Sequence, residues 1–199
     1  DSFHAFLLAG VTGSGKTGIL RRMKSAGEQV TDLEGLASHR GSAFGALGQA
    51  LQPSSEHFAN MLYDDLNAHR ADSPVWLEDE SRNIGTVFMP DCFFERMQSA
   101  PVIALMMSIE TRMPRLVREY TSFPVEEIMA SVMKISKRLG GDRTREALDA
   151  LKCGDYPTAI RITLEYYDKS YHYGLSKRPR DQVIYINTET DDEAVNAAL

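Results

Sequence analysis

The feature that most constrains this chain is the run Gly10-Val11-Thr12-Gly13-Ser14-Gly15-Lys16-Thr17, set between an apolar stretch and a helix-forming one. The spacing is Gly, four residues, then Gly-Lys-Thr, which is the pattern of a phosphate loop. Its context agrees, because residues 3–9 read as a buried strand and residues 16–26 as a helix stopped by Gly27. Glycines let the backbone curl until successive N–H groups point inward at phosphate oxygens. The helix starting near Lys16 adds the positive end of its dipole. Gly10, Gly13, Ser14, Gly15, Lys16 and Thr17 are therefore the candidate phosphate-binding residues. Lys16 supplies a mobile charge for the outer phosphate, and the Thr17 hydroxyl a ligand for Mg2+.

The following hundred residues keep to an α/β pattern. Residues 29–33 and 75–77 read as strands, and a glycine-rich loop covers 35–52. A helix runs from Ser54-Ser55-Glu56 towards Arg70, another covers 91–99, and a strand covers 101–107. The expected class is a P-loop NTPase-like parallel sheet flanked by helices. From residue 112 the periodicity turns helical, over 112–120, 125–139, 143–151 and 156–171, broken by Pro124, Gly140-Gly141 and Gly154. Residues 183–186 (VIYI) return as a last strand, and those after Thr188 read as a helix. We expect one domain over 1–199, with 1–111 and 181–199 as the α/β core and 112–180 as a helical part.

Charge divides the same way. The chain carries a net charge of −6, yet residues 112–180 hold 14 Lys/Arg against 9 Asp/Glu. Overall acidity argues against indiscriminate nucleic-acid binding but leaves room for a local basic surface on the helical part. With 43% hydrophobic and 25% charged residues the composition is that of a globular protein, not a disordered one. No apolar run approaches the roughly 18 residues of a membrane span, so no membrane partner is expected. The two cysteines, Cys92 and Cys153, have no Cys or His at metal-ligand spacing, which fits a reducing cytoplasm better than a disulfide or zinc scaffold.

Further candidates cluster around strand ends. Glu78-Asp79-Glu80 closes the third strand, where phosphate-loop proteins hold Mg2+ through an acidic residue. Alternation turns Glu78 and Glu80 one way and Asp79 the other, and Asp79 is expected at the metal with Glu80 beside it. Asp32 and Glu34 end the second strand and should face the same crevice, while Arg40 is placed to grip a phosphate. Lys16, Asp32 and Arg82 are the candidate catalytic residues. Arg112, Arg115 and Arg118 recur every third residue and are expected on one helix face. Such a row serves as a lid over phosphates, as a groove for a polyanion, or as a solvated stripe. Tyr166, Tyr167, Tyr171 and Tyr173 mingle with Lys169, Lys177, Arg178 and Arg180, a mixture suited to stacking on unpaired bases, although Tyr166 and Tyr167 equally suit a core. The motifs alone allow an ATP- or GTP-binding switch, or a small-molecule kinase with Asp32 as its base.

Several segments together resemble one family. GVTGSGKT (10–17), DLEGLASHRGSAFG (32–45), QPS (52–54), VWLEDESRNIG (75–85) and EYYDKSY (165–171) are similar to the C-terminal phosphate-loop half of bacterial tRNA 2-selenouridine synthase. The resemblance implies a tRNA-modifying transferase that replaces the sulfur of wobble 2-thiouridine with selenium. The implied route passes through an S-geranylated uridine made with geranyl diphosphate, followed by attack of selenophosphate. It also implies an N-terminal rhodanese-like domain, missing from this sequence, with the cysteine that serves selenation; neither Cys92 nor Cys153 sits in such a loop. Neither step needs ATP hydrolysis. The resemblance therefore directs the loop, with Mg2+, to the diphosphate of geranyl diphosphate, with ATP or GTP as the alternative ligand. The geranyl tail is expected among Phe44, Phe88, Met89 and the helical part, and tRNA on that part's basic surface.

Overall fold

The computed structural model describes residues 4–199. Its centre is a five-stranded, wholly parallel sheet in the order β2-β3-β1-β6-β7. The strands are β1 (Ala5–Gly10), β2 (Gln29–Thr31), β3 (Val75–Glu78), β6 (Val102–Met107) and β7 (Val183–Thr188). Two short strands, β4 (Asn83–Ile84) and β5 (Val87–Phe88), pair as a separate hairpin. β1 lies between β3 and β6, with Leu7 in register with Leu77 on one side and Val102 on the other. This order sets the glycine loop after β1 beside the acidic end of β3.

Alternation along the strands builds two cores, one on each face of the sheet. Leu7, Ala9, Val75, Leu77, Val102 and Ala104 pack against α2 (Leu33–Ala37), α3 (Ser55–Asn67) and α4 (Asp91–Ser99). Leu8, Leu105 and Met107 face the other way, onto Ile19 and Leu20 of α1 (Lys16–Ser25) and Ala197 of α10 (Glu193–Ala197). A third core belongs to the helices α5 (Ile109–Tyr120), α6 (Val125–Lys134), α7 (Ser136–Leu139), α8 (Gly141–Lys152) and α9 (Tyr156–Ser176). Leu116, Ile128, Val132, Leu151 and Ile160 fill it. The 21-residue α9, about 30 Å long at 1.5 Å per residue, carries Leu164 in the helical core and Leu175 in the sheet core.

The architecture agrees with the sequence reading, and the departures are local. The first strand was expected from residue 3; Phe3 lies outside the described residues, and β1 begins at Ala5. The second strand stops at Thr31, because the Asp32 carboxylate accepts the Gly35 N–H at 2.6 Å and caps α2. A helix thus occupies the start of the expected 35–52 loop. The β4–β5 hairpin was not expected; it turns through Gly85, whose φ of +62° favours glycine. The helix expected over 125–139 breaks at Ile135 into α6 and α7. No helix of the described residues is long and apolar enough to cross a membrane.

Candidate phosphate-binding site

The loop leaves β1 at Gly10 and enters α1 at Lys16. Gly13 and Gly15 have φ of +82° and +80°, in the left-handed region that a Cβ disfavours. A Cβ on Gly10 would lie 2.5 Å from Ser14 Oγ, so the turn closes tightly on itself. Gly15 precedes α1 without a capping side chain, which leaves the N–H groups of the first helical turn available to a ligand. Lys16 Nζ donates to the Gly10 carbonyl at 2.9 Å, resting across the loop mouth. Ser14 is only 1% exposed, and its hydroxyl has no hydrogen-bond partner among the described residues.

Carboxylates face the loop, in an arrangement different from the expected one. Glu34 does not end a strand; it rides on α2, and its Oε2 accepts the Thr17 hydroxyl at 2.9 Å. Glu80 stands close to Glu34. Burial and then the Glu34 charge push its carboxyl up to about 8. Glu78 is fully buried and accepts the Leu33 N–H at 3.0 Å, while its Oε1 has no hydrogen-bond partner among the described residues. Burial, followed by the charges of Asp32 and Glu34, raises it to about 8. Asp79, expected at the metal, lines the same cavity and is paired with Arg178 at 2.6 Å. Burial lifts its pKa and the Arg178 charge opposes the lift.

The donor set beside Thr17 nevertheless suits Mg2+. The Thr17 hydroxyl and the Glu34 and Glu80 carboxylates converge there, and a cation would relieve the repulsion between the two acids. Among the described residues no three His, Cys, Asp or Glu side chains form a metal cage. Mg2+ keeps several waters and takes phosphate oxygens, so it does not require one.

These groups open into a cavity of about 790 Å3. Its polar part includes the loop, Asp32, Glu34, Asp79 and Glu80 and extends past Gly18 along Arg21, Arg22 and Ser25; Phe44, Leu47, Leu116, Tyr120, Phe123 and Tyr167 line its apolar wall. Phe44 stacks on Tyr120 with ring centres 5.2 Å apart, and the Tyr167 hydroxyl accepts the Ala43 N–H at 3.1 Å. The segment carrying Phe44 lies on the Glu80 side, since a Cβ on Gly41 would be 2.5 Å from Glu80 Oε2. Leu116 packs onto the loop itself, 2.7 Å from where a Cβ of Gly13 would stand.

The arginines separate. Steps of three residues wind around a helix of 3.6 residues per turn, so Arg112 and Arg118 diverge by roughly 120° rather than sharing a face. Arg112 is 1% exposed and bridges Asp168 (3.1 and 2.6 Å) and the Thr12 carbonyl (2.7 Å), which makes it a structural brace for the loop. Arg115 lies against Gly15 and pairs with Glu193 at 2.5 Å. Arg118 is exposed. Arg40 lines the cavity and pairs with Glu119. Arg82, expected as catalytic, lies outside the cavity lining and pairs with Asp91 at the surface. Of the expected tail slot, Phe44 lines the cavity together with Leu116, Tyr120, Phe123 and Tyr167 of the helical part, whereas Phe88 is exposed and Met89 belongs to the sheet core. Tyr166 and Tyr167 pack on the helical core, whereas the exposed Tyr173 ring lies under Lys177 at 4.3 Å. Sequence reasoning missed Glu193, Asp191 and the pairing of Arg178 with Asp79, because the partners are distant in the chain and leave no local spacing signal.

A parallel sheet with a glycine loop after its central strand, free helix amides, a lysine and a threonine beside carboxylates define a phosphate-loop domain. The chain belongs to the tRNA 2-selenouridine synthase family: the profile of the tRNA 2-selenouridine synthase AAA domain matches residues 3–198. It is 32% identical over 224 residues to tRNA 2-selenouridine synthase of Shewanella frigidimarina, covering 97% of this chain and 59% of that protein. It is 36% identical over 211 residues to that of Shewanella loihica, covering 90% and 55%. The chain thus spans a little over half the length of these relatives. Among solved structures, the tRNA isopentenylpyrophosphate transferase of Bacillus halodurans superposes at a TM-score of 0.47 with 12% identity, covering 98% of this chain and 94% of that one. That likeness is too loose to inform function.

Proposed function

We propose that this chain is the diphosphate-binding domain of a tRNA-modifying transferase that converts wobble 2-thiouridine to 2-selenouridine through an S-geranyl intermediate. The observation that carries the reading is the two-ended cavity, polar at the phosphate loop and aromatic on the Glu80 side. Geranyl diphosphate has the same polarity. Its diphosphate would lie on the loop amides with Lys16 swung from the Gly10 carbonyl onto a phosphate oxygen, and its alkyl chain along Phe44, Leu116 and Tyr120. The thiouridine sulfur attacks the carbon bound to oxygen, a C–S bond forms as the C–O bond breaks, and the uridine loses its N3 proton. Lys16 and the loop amides stabilise the charge gathering on the leaving diphosphate. Mg2+ beside Thr17, Glu34 and Glu80 would neutralise part of the same charge. Selenation, with selenophosphate, is assigned to a rhodanese-like domain outside this chain. The tRNA would reach the cavity across the helical part, where Arg118, Lys137 and Lys169 are exposed.

The test is calorimetric titration of the chain, with Mg2+, against geranyl diphosphate, inorganic pyrophosphate, ATP and GTP, repeated on Lys16→Ala. The expected result is binding of geranyl diphosphate, weakened about tenfold or more in the variant, as for loss of a charged hydrogen bond. Preference for one purine nucleotide instead supports a switch. Unchanged affinity in Lys16→Ala refutes the cradle.

A further inference from the structure

The phosphate loop has two flanks, and an acidic side chain narrows one of them. A nucleotide in such a loop sets its outer phosphates against the lysine and its inner ones on the backbone amides. Its nucleoside then extends past the first turn of the following helix, here the turn containing Gly18. Glu193 and Arg115 stand in the way there, although the cavity continues past them along Arg21, Arg22 and Ser25 of α1. The Glu193 carboxylate lies over Gly18, so close that a Cβ there would be 2.0 Å from its Cδ. Arg115 fixes it with a 2.5 Å contact to Glu193 Oε1. The same guanidinium donates to the Asp191 carbonyl at 2.5 Å and lies 3.7 Å from its carboxylate. It also presses on the loop, within 3.1 Å of the position a Gly15 Cβ would take. Glu193 opens α10, Asp192 caps that helix, and α10 is seated on α1 through Ala197 in the core shared with Ile19 and Leu20.

We propose that Glu193 is a specificity-determining residue: clamped by Arg115, it obstructs the nucleoside side of the phosphate loop and selects diphosphates over nucleoside triphosphates. The proposal rests on the reading of the loop as a diphosphate site. A donor whose alkyl group is transferred directs that group to the acceptor side, along Glu80 and Phe44, and needs nothing beyond Gly18. A nucleotide needs that flank for a ribose and base, and meets over Gly18 both the bulk and the negative charge of the Glu193 carboxylate. Exclusion by occupied volume and like charge is how a site rejects a competitor without changing its contacts to the preferred ligand.

The experiment compares the chain with its Glu193→Ala and Glu193→Gln variants, each titrated with Mg2+ against pyrophosphate and against ATP, with circular dichroism as the check on folding. The quantity read is the ratio of ATP affinity to pyrophosphate affinity. The parent chain is expected to favour pyrophosphate. The ratio should rise by about tenfold or more in Glu193→Ala. A rise of similar size in Glu193→Gln assigns the effect to charge, and a rise in Ala alone assigns it to volume; either supports the proposal. An unchanged ratio in both variants overturns it, as does an equal gain for both ligands, which would reflect removal of a charge and no selection. A parent chain that binds ATP as tightly as pyrophosphate also overturns it. A parent chain that binds neither overturns the diphosphate reading and this proposal together, whereas normal pyrophosphate binding with an unmoved ratio sinks only the proposal.

Discussion

Replacing Arg112 by Ala tests whether the helical part braces the phosphate loop. The guanidinium is buried, holds both Asp168 oxygens, and donates to the Thr12 carbonyl at 2.7 Å and the Ser108 carbonyl at 3.1 Å. Its removal leaves the Asp168 carboxylate, itself 18% exposed, without a counter-charge. Breaking a buried pair from one side costs about 3–5 kcal/mol, and the residual exposure of Asp168 puts the expectation near the lower end. For a chain of this size about 3 kcal/mol corresponds to a melting point lowered by roughly 6–12 °C. The Thr12 carbonyl also loses its anchor, so pyrophosphate affinity should fall about tenfold, or ~1.4 kcal/mol. Arg112→Met/Asp168→Leu separates the two effects. An apolar pair of similar volume should regain most of the stability, while affinity stays low because Thr12 is still unheld. Calorimetric melting and pyrophosphate titration read both quantities. A melting point within about 2 °C of the parent, with unchanged affinity, would refute the brace.

Three further outcomes are expected. Glu78 rises from 4.5 to about 8 in the folded chain, so its stability contribution is full below pH 4.5 and is lost as pH climbs through 8. Urea unfolding should therefore show Glu78→Gln gaining on the parent by a few kcal/mol at pH 8.5 and hardly at all at pH 4; a constant difference would contradict the burial argument. Arg82→Ala, which removes an exposed ion pair, should change stability by less than about 1 kcal/mol and leave pyrophosphate affinity as it was; a large loss of affinity would return Arg82 to the site. Reversing Arg118, Lys137 and Lys169 to Glu should weaken tRNA binding and flatten its salt dependence in a filter-binding assay, whereas an unchanged slope would locate the tRNA elsewhere.

Legibility in the sequence followed the range of the interactions. The loop at 10–17 was readable because its glycines, lysine and threonine act through their own backbone and the adjoining helix. The third strand and its acidic end were readable from a run of apolar residues followed by charges. Which acid faces the loop was not, because strand alternation says only that Glu78 and Glu80 share a face. Nor was the pairing of Asp79 with Arg178, 99 positions away. The arginine row misled for a geometric reason, since a three-residue step drifts around the helix and carries Arg112 into the core, Arg115 onto the loop and Arg118 into solvent.

The amino-acid order alone therefore determined the α/β class, the phosphate loop and the change to a helical second half. Each of these follows from contacts between near neighbours or from periodic burial, and both are written along the chain. The tertiary structure alone decided what stands around the loop: Glu34 on Thr17, Leu116 and Tyr120 on the apolar wall, and Glu193 over Gly18. Those groups come from segments that meet only when the parallel sheet is assembled and α9 and α10 pack against it, and a long-range meeting of side chains leaves no spacing for a sequence to display.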